Sequence, residues 1–244
     1  MTQSTPQRLY LFRLSTSDVP IGGGRILPMV AACYLVQMSD GKNILIDTGL
    51  AADYQQPSGM PPAENAKNVL EHLAEIGLQP DSIHIVISTH FDVDHAGYHD
   101  HFPRAEFIVQ RSHYELARAG DARFAEARAH WDHPVLKYRM VDGDTEILPG
   151  LWVIETSGHA PGHQSVLVYL PETGPVLLVI DAVIIQRLFT VERPALPDEG
   201  SLDEVRASTR KLLDLVGREH VQLIVFGHDG EQWRTLKQSP EYYQ

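Results

Sequence analysis

The stretch that most constrains this chain is 83–97, IHIVISTHFDVDHAG. Its first five residues form an apolar run rich in β-branched side chains, which predicts a buried strand. Two histidines and two aspartates follow within six positions: His90, Asp92, Asp94 and His95. A strand that delivers so many ionisable side chains into one loop predicts a rigid platform with a polar site at its carboxyl end.

Three later strand-like runs also lead directly into a histidine or an aspartate: 151–156 into His159, 175–180 into Asp181 and 221–226 into His228. The carboxyl ends of strands in a layered α/β protein gather along one edge, so we expect these side chains to converge there. A single histidine or aspartate after a strand is more often a turn residue or a helix cap. The prediction therefore depends on the whole cluster.

The rest of the chain alternates β-like and helix-like segments, without an internal repeat or a low-complexity linker. Further strands are predicted at 9–14, 32–38, 43–49, 106–110 and 165–170. A helix is predicted over 63–76 with Gly77 as its cap, and capping boxes that begin at Ser112 and Ser201 predict two more. We expect residues 1–244 to form one α/β domain. The segments 15–30 and 56–64 are predicted loops over the mouth of the site.

The net charge and the cysteine content limit the classes of binding partner and the residue types that could bind a metal. The 20 Lys+Arg against 32 Asp+Glu give a formal charge of −12, which disfavours nucleic acid and anionic membrane surfaces. The first residues lack the pattern of a signal peptide and no run is apolar enough for a membrane span, so we expect a cytoplasmic protein. Cys33 is the only cysteine, so a metal would need His, Asp and Glu ligands.

The H-x-D-x-D-H loop combines imidazole with carboxylate, a ligand set that suits zinc, manganese or iron. His163 lies four residues after His159 in GHAPGH, and we interpret it as a hydrogen-bonding residue behind the ligands. The remaining histidines near these motifs are predicted to be surface or packing residues: His99, His101, His113, His130 and His133.

Taken together, the motifs HFDVDHAG, SGHAPGHQS, LLVIDA and IVFGHDGEQ, with LIDTG upstream, resemble the metallo-β-lactamase superfamily. The run from ACYLVQMSDGKNILIDTGL to FGHDGEQ most resembles its quorum-quenching N-acyl homoserine lactonases. This resemblance implies an αββα sandwich of two mixed sheets with helices outside. It also implies two divalent ions per chain, zinc foremost, with manganese, iron or cobalt as alternatives.

The resemblance also implies the role of each residue. One ion would be held by His90, Asp92 and His159, and the other by Asp94, His95 and His228, with Asp181 as a bridge. Hydroxide would open a lactone ring, and Asp94 would deliver a proton to the leaving group. Asp47 in LIDTG resembles an outer aspartate that orients a ligand histidine, although Asp-Thr-Gly is also typical of a turn.

Two residues depart from the pattern of the relatives. Asp92 stands where the superfamily usually has histidine, so three carboxylates and one hydroxide would balance two divalent ions; the alternative is that Asp92 does not bind metal. Ile184 stands where the lactonases carry a tyrosine that holds the substrate carbonyl, and it could instead line an acyl pocket.

Two other functions stay open besides that of a lactonase. One is hydrolysis of another ester or a thioester, in the manner of glyoxalase II, and the other is metal binding without catalysis. The RNA-processing branch of the superfamily is disfavoured by the net charge of −12. We therefore expect a small-molecule lactone or ester as the substrate. The sequence does not decide the oligomeric state, and a homodimer is one candidate.

Overall fold

The computed structural model describes residues 3–54, 61–64, 66–197 and 199–244. Within them, eleven strands alternate with six α-helices and several 3₁₀ turns. The strands are β1 (Pro6–Pro20), β2 (Ile26–Met38), β3 (Asn43–Ile46), β4 (Ile83–Ile87), β5 (Glu106–Gln110), β6 (Lys137–Val141), β7 (Thr145–Leu148), β8 (Leu151–Glu155), β9 (Gln164–Leu170), β10 (Gly174–Ile180) and β11 (Leu223–Phe226). The helices are α1 (Val69–Glu75), α2 (Val93–Ala96), α3 (Arg111–Arg118), α4 (Arg128–Trp131), α5 (Leu202–Arg218) and α6 (Gly230–Trp233). Among the described residues, no helix is both long enough and apolar enough to cross a bilayer.

The strands form two mixed sheets. The first has the order β1-β2-β3-β4-β5-β6, antiparallel up to β3 and parallel from β3 onward. The second has the order β11-β10-β9-β8-β7, in which only the pair β10 and β11 is parallel. The parallel strands β4, β10 and β11 lead into ionisable loops, and so does the antiparallel strand β8.

Alternation along the strands builds the layers. In β10, Val176 and Leu178 belong to the core cluster between the two sheets, together with residues of β2, β3 and β4. Leu177 and Val179 point the other way and pack against Leu212 and Leu215 of α5. On the far side of the first sheet, α1 packs through Val69 and Leu73. The predicted αββα sandwich is confirmed.

The prediction of a loop over 15–30 is wrong. Residues 15–20 belong to β1 and residues 26–30 to β2, paired in register from Ser15 opposite Ala31 to Pro20 opposite Ile26. The three glycines at 22–24 all take positive φ and make the tight turn themselves, so the strands continue on both sides of them. Of the second predicted loop, 56–60 lies outside the described residues, and Glu64 exchanges backbone hydrogen bonds of 2.8 and 2.9 Å with Thr16.

Helix starts follow the local capping chemistry. The first helix begins at Val69 and not near 63, because Asn68 caps it: its side chain accepts from the Glu71 N–H at 3.0 Å, and the Glu71 carboxylate accepts from the Asn68 N–H at 2.8 Å. The box predicted at Ser112 is wrong, since β5 runs directly into α3 at Arg111. The Ser201 cap is confirmed, with Ser201 Oγ accepting from the Glu204 N–H at 3.2 Å.

Candidate metal centre

The ionisable loops meet at the carboxyl edge of the two sheets. His90 follows β4, His159 follows β8, Asp181 follows β10 directly and His228 follows β11. The ligand-type atoms of His90, His159 and Asp181 lie within 4.8 Å of one another, and so do those of Asp94, His95 and His228. The convergence expected from the strand ends is therefore present.

The loop after β4 is held closely against its neighbour. Asp92 is the N-cap residue of the single-turn helix α2, which carries Asp94 and His95. Gly97 ends the turn and donates to the carbonyl of Gly49 at 2.7 Å. A Cβ at position 97 would collide with the backbone nitrogen of Ala51, so only glycine allows this approach.

The first subsite contains His90, Asp92 and His159. Asp92 Oδ2 lies 3.3 Å from His90 Nε2 and 3.1 Å from His159 Nε2. Asp181 Oδ2 lies 3.4 Å from His159 Nε2 and 4.0 Å from His90 Nε2. One carboxylate at the start of α2 and one at the end of β10 thus face the same two imidazoles.

The second subsite contains Asp94, His95 and His228. Asp94 Oδ2 lies 3.6 Å from His95 Nε2 and 3.8 Å from His228 Nε2. Asp181 reaches this group as well, at 3.5 Å from His95 Nε2 and 3.0 Å from His228 Nε2. Asp181 therefore lies between the two groups, which is the position expected of a bridging carboxylate.

Several of the histidine rings are fixed through their second nitrogen. His95 Nδ1 lies 2.8 Å from Asp47 Oδ2, and His228 Nδ1 lies 2.7 Å from the Val30 carbonyl, so each can donate and leave Nε2 facing the site. Asp47 also accepts from the Thr89 N–H at 2.8 Å and from the Thr89 hydroxyl at 2.7 Å. Asp47 has a left-handed backbone, with φ +58°, and contacts a site histidine; its role in orienting a ligand stays a prediction.

His163 supports Asp181 from behind. Its Nε2 accepts the Asp181 N–H at 3.3 Å, and its Nδ1 lies 2.9 Å from the Thr156 hydroxyl. Burial holds the pKa of His163 well below its usual range, which keeps the ring uncharged. This contact agrees with the hydrogen-bonding role that the sequence predicted.

The backbone at Asp181 is strained. Ile180 has φ +53°, a conformation that β-branched residues very rarely adopt. Gly227 passes close by, since a Cβ there would lie 2.8 Å from the Ile180 carbonyl and 3.0 Å from Asp181 Oδ1. This backbone conformation places Asp181 at the site. Because Gly227 has no side chain, the His228 loop can approach Asp181 closely.

The electrostatics differ around the two subsites. Burial lowers the pKa of His90 to about 3, so this imidazole is neutral near pH 7. Burial also acts to lower the pKa of His228, but Asp181 outweighs it and raises the value to about 9. For His95, the carboxylates of Asp94, Asp181 and Asp47 likewise outweigh burial and raise the pKa well above its usual range. The carboxylates of the second subsite thus favour positive charge on its two histidines.

Three buried ligand-type atoms of the site make no hydrogen bond among the described residues: His90 Nε2, His95 Nε2 and Asp181 Oδ1; the other ring nitrogen of His159, Nδ1, is also unpaired there. Buried polar atoms are nearly always paired, so a convergent set of three is unusual. Imidazole nitrogens and carboxylate oxygens that face a common point are ligands that divalent transition metals accept. The side chains present therefore fit a metal centre.

Sequence comparison gives the family. The metallo-beta-lactamase superfamily matches residues 27–228, a segment that carries every residue of both subsites. The chain belongs to this superfamily. The resemblance inferred from the motifs is confirmed.

Superfamily relatives of similar length point to one branch. The chain is 34% identical to an N-acyl homoserine lactonase of Bacillus sp, covering 90% of this chain and 89% of the relative. It is 32% identical to the N-acyl homoserine lactonase AttM of Rhizobium johnstonii, over 98% and 99% of the two chains. A solved N-acyl homoserine lactone hydrolase, with the product N-hexanoyl-L-homoserine bound at its catalytic metal centre, superposes with a TM-score of 0.84 at 29% identity, over 98% and 100%.

Sequence analysis did not identify one residue of the site, Arg123. Arg123 lies in a 3₁₀ turn, Ala122–Phe124, which begins where the Asp121 side chain accepts from the Arg123 N–H at 2.9 Å. Its guanidinium donates to Asp92 Oδ1 from Nε at 2.7 Å and to Asp92 Oδ2 from Nη2 at 2.5 Å. It also donates to the His159 carbonyl from Nη1 at 2.7 Å. Only the capping pattern of Asp121 marks this segment in the sequence, and nothing there points to a site.

The ion pair affects the charge state of Asp92. Burial acts to raise the pKa of this carboxyl, but the neighbouring His90 and the hydrogen bonds from Arg123 outweigh it and hold the pKa well below its usual range. Since His90 itself is neutral near pH 7, Arg123 is the protein cation that compensates Asp92 there.

The other histidines behave largely as predicted. His113 and His99 are buried, whereas His101 and His133 are exposed. His113 links two segments, because its Nε2 accepts the Phe91 N–H at 2.9 Å and its Nδ1 lies 2.7 Å from the Pro161 carbonyl. It thereby joins the loop of His90 to the loop of His159.

Ile184 lies three residues after Asp181, and its carbonyl accepts the His228 N–H at 3.0 Å. Its side chain is half-buried. The backbone at this position thus ties the Asp181 loop to the His228 loop. The contact of the side chain with a substrate stays a prediction.

Proposed function

We propose that the chain is a metal-dependent hydrolase that opens the ring of N-acyl homoserine lactones. The observation that carries the proposal is Asp181 between two groups of candidate ligands, in a chain about as long as lactonases that it matches at 32–34% identity. The solved relative with a ring-opened product at its metal centre supports the same chemistry.

We assign the ligands from the two geometric groups, with Asp92 added to the first because its carboxylate lies beside His90 and His159. His90, Asp92 and His159 would hold one divalent ion, Asp94, His95 and His228 the other, and Asp181 would contact both. Zinc fits these nitrogen and oxygen ligands, and so do manganese, iron and cobalt. When bound, such a pair supplies Lewis acidity toward a carbonyl oxygen and hydroxide near neutral pH.

The protein residues supply position and proton transfer. Asp47 and the Val30 carbonyl hold His95 and His228 in the orientation that presents Nε2. Asp94 has the most exposed carboxylate of the site, at 31% of its side chain, against 18% for Asp92 and 5% for Asp181. It is therefore best placed to meet solvent and substrate and to carry a proton to the leaving alkoxide.

Ile184 would contact the substrate through its aliphatic side chain. The lactonases that the chain resembles carry tyrosine at this position, so the oxyanion contact in this chain would have to come from another group. An aliphatic surface beside the site favours an acyl chain over a charged leaving group. A cytoplasmic location and a homodimer stay predictions from the sequence.

The test is a substrate comparison with purified protein. Acid release should be followed with N-hexanoyl homoserine lactone, γ-butyrolactone and S-lactoylglutathione, before and after removal of metal with a chelator and again after Zn²⁺ is restored. We expect turnover of the acyl lactone, loss on chelation and recovery with metal. If S-lactoylglutathione is turned over faster than the acyl lactone, the protein is a thioester hydrolase and not a lactonase. If none of the three substrates is hydrolysed while metal is bound, the protein binds metal without catalysis.

A further inference from the structure

We propose that Arg123 supplies a permanent positive charge to the His90–Asp92–His159 subsite. Its guanidinium competes with the metal ion for His159, so that this subsite binds its ion more weakly than the Asp94–His95–His228 subsite. The inference rests on the ligand assignment above, and it concerns the order and the affinity of metal binding.

The geometry places one nitrogen of Arg123 inside the ligand group. Nη2 lies 2.5 Å from Asp92 Oδ2 and 2.7 Å from His159 Nε2. Those two atoms are themselves 3.1 Å apart. A metal ion held by this subsite would need the same two atoms that Nη2 now contacts.

The two cations therefore compete for one lone pair. Arginine donates hydrogen bonds and cannot accept them, so its contact with His159 Nε2 makes that nitrogen the acceptor. A neutral imidazole has a single lone pair on that nitrogen, which is also the pair that binds a metal. Metal binding at His159 must break this hydrogen bond, and the free energy lost reduces the affinity of the subsite.

The remaining contacts of Arg123 need not break. Nε lies 2.7 Å from Asp92 Oδ1, and Nη1 lies 2.7 Å from the His159 carbonyl. A small shift of the guanidinium away from Nε2 keeps both. Arg123 would then serve as a positioning residue that fixes the carboxylate of Asp92 from the outer side.

The second subsite has no arginine or lysine paired with its carboxylates among the described residues. Every ion pair of Asp94 and Asp181 there is with a histidine. Asp92, in contrast, is paired with an arginine, whose charge is permanent near pH 7. The first subsite thus carries a permanent guanidinium charge, whereas no arginine or lysine among the described residues pairs with the carboxylates of the second.

The experiment is a stepwise titration of metal-free protein with Zn²⁺ against a chromophoric chelator. It is repeated with Co²⁺, whose visible absorption reports ligand geometry. We expect the wild-type chain to bind two ions with affinities that differ at least tenfold. Arg123→Met should strengthen the weaker step by about ten- to a hundredfold, the range of one charge-assisted hydrogen bond, and leave the tighter step unchanged.

Controls separate this effect from folding and from surface charge. Arg128→Met removes an exposed arginine of the same region, which pairs with Asp132, and should change neither step. Arg123→Gln, which keeps a donor for the His159 carbonyl, provides a second variant if Arg123→Met is poorly folded by circular dichroism. Asp92→Asn should weaken only the step that Arg123→Met strengthens.

Two outcomes would overturn the inference. If either Arg123 variant is folded and its weaker step is equal to or weaker than that of the wild type, the guanidinium supports the ligands and does not compete with the ion. If the wild-type chain binds two ions equally tightly, the asymmetry does not exist, and lactone hydrolysis by the same sample would leave the proposed function standing. A folded wild-type chain that binds no metal would remove both proposals.

Discussion

Asp47→Asn isolates the contribution of a single charge behind the second subsite. Asp47 is fully buried, and its Oδ2 is the acceptor for His95 Nδ1 at 2.8 Å. Asparagine has nearly the same shape and, like aspartate, tolerates the left-handed backbone that φ +58° requires. Its amide oxygen can still accept the Thr89 N–H, which lies 2.8 Å from Asp47 Oδ1. The substitution therefore changes the charge and leaves the backbone conformation in place.

The substitution changes which ring nitrogen of His95 carries the proton. With an amide nitrogen in place of Oδ2, His95 Nδ1 faces a donor and can no longer donate, so the ring is driven to carry its proton on Nε2. A protonated Nε2 cannot bind a metal ion. Loss of such an outer partner commonly reduces metal affinity by about 10- to 100-fold, which corresponds to about 1.4–2.7 kcal/mol.

The assay is the Zn²⁺ titration of metal-free protein, read as the affinity of the tighter step, with circular dichroism to confirm folding. Asp81→Asn provides the matched control, because Asp81 is exposed and pairs only with Arg104 at 3.2 Å among the described residues. An Asp47→Asn chain that is folded and binds both ions as tightly as the wild type would show that the carboxylate does not orient His95, and would leave the left-handed backbone as the role of Asp47.

Three further predictions concern charge, packing and pH. Asp181→Asn should lose most of the metal content and the activity, since a neutral amide no longer offsets the repulsion between two cations; unchanged elemental analysis would exclude a bridging role. Arg193→Met should lower the free energy of unfolding, measured in urea, by about 3–5 kcal/mol, because both side chains are shielded from solvent and the carboxylate of Glu199 loses its cation. The double variant Arg193→Met with Glu199→Gln should recover part of this loss. Burial lowers the pKa of His99 to about 3 from an ordinary 6.5, so this residue makes stability fall as the pH drops from 6.5 toward 3, and His99→Gln should flatten the pH dependence of Tm in that window.

The convergence of the candidate ligand side chains could be predicted because strand ends are local signals. An apolar β-branched run and the polar residues directly after it are adjacent in the chain, so His90, Asp181 and His228 could each be assigned to a strand end without knowledge of the sheet. The order of strands then only had to bring those ends to one edge. That step follows from the general behaviour of layered α/β folds.

The features that were missed depend on contacts between distant segments. The segment 15–30 was predicted to be a loop, yet its prolines Pro20 and Pro28 lie in the long β1–β2 hairpin. The Val30 N–H donates to the His228 carbonyl, so the nitrogen of Pro28, two residues earlier, also points away from β1 and the β1–β2 ladder loses no donor there. The strands β6 and β7 were also missed, since their half-exposed faces show little apolar periodicity. Local patterns cannot report pairings that the rest of the fold imposes.

Asp92 and Arg123 are best understood as one unit. A carboxylate at position 92 sets a full negative charge within 3.3 Å of two imidazoles, in a place where the superfamily usually has a third neutral ring. Burial alone would favour the protonated acid, which is a poor ligand, and the guanidinium of Arg123 keeps the carboxylate ionised through two hydrogen bonds. The same guanidinium contacts His159 Nε2 and so limits how strongly the subsite attracts an ion. The residue that makes Asp92 usable as a ligand is thus also the one that weakens the subsite, and an aspartate at position 92 would be expected to come with a cation at this distance.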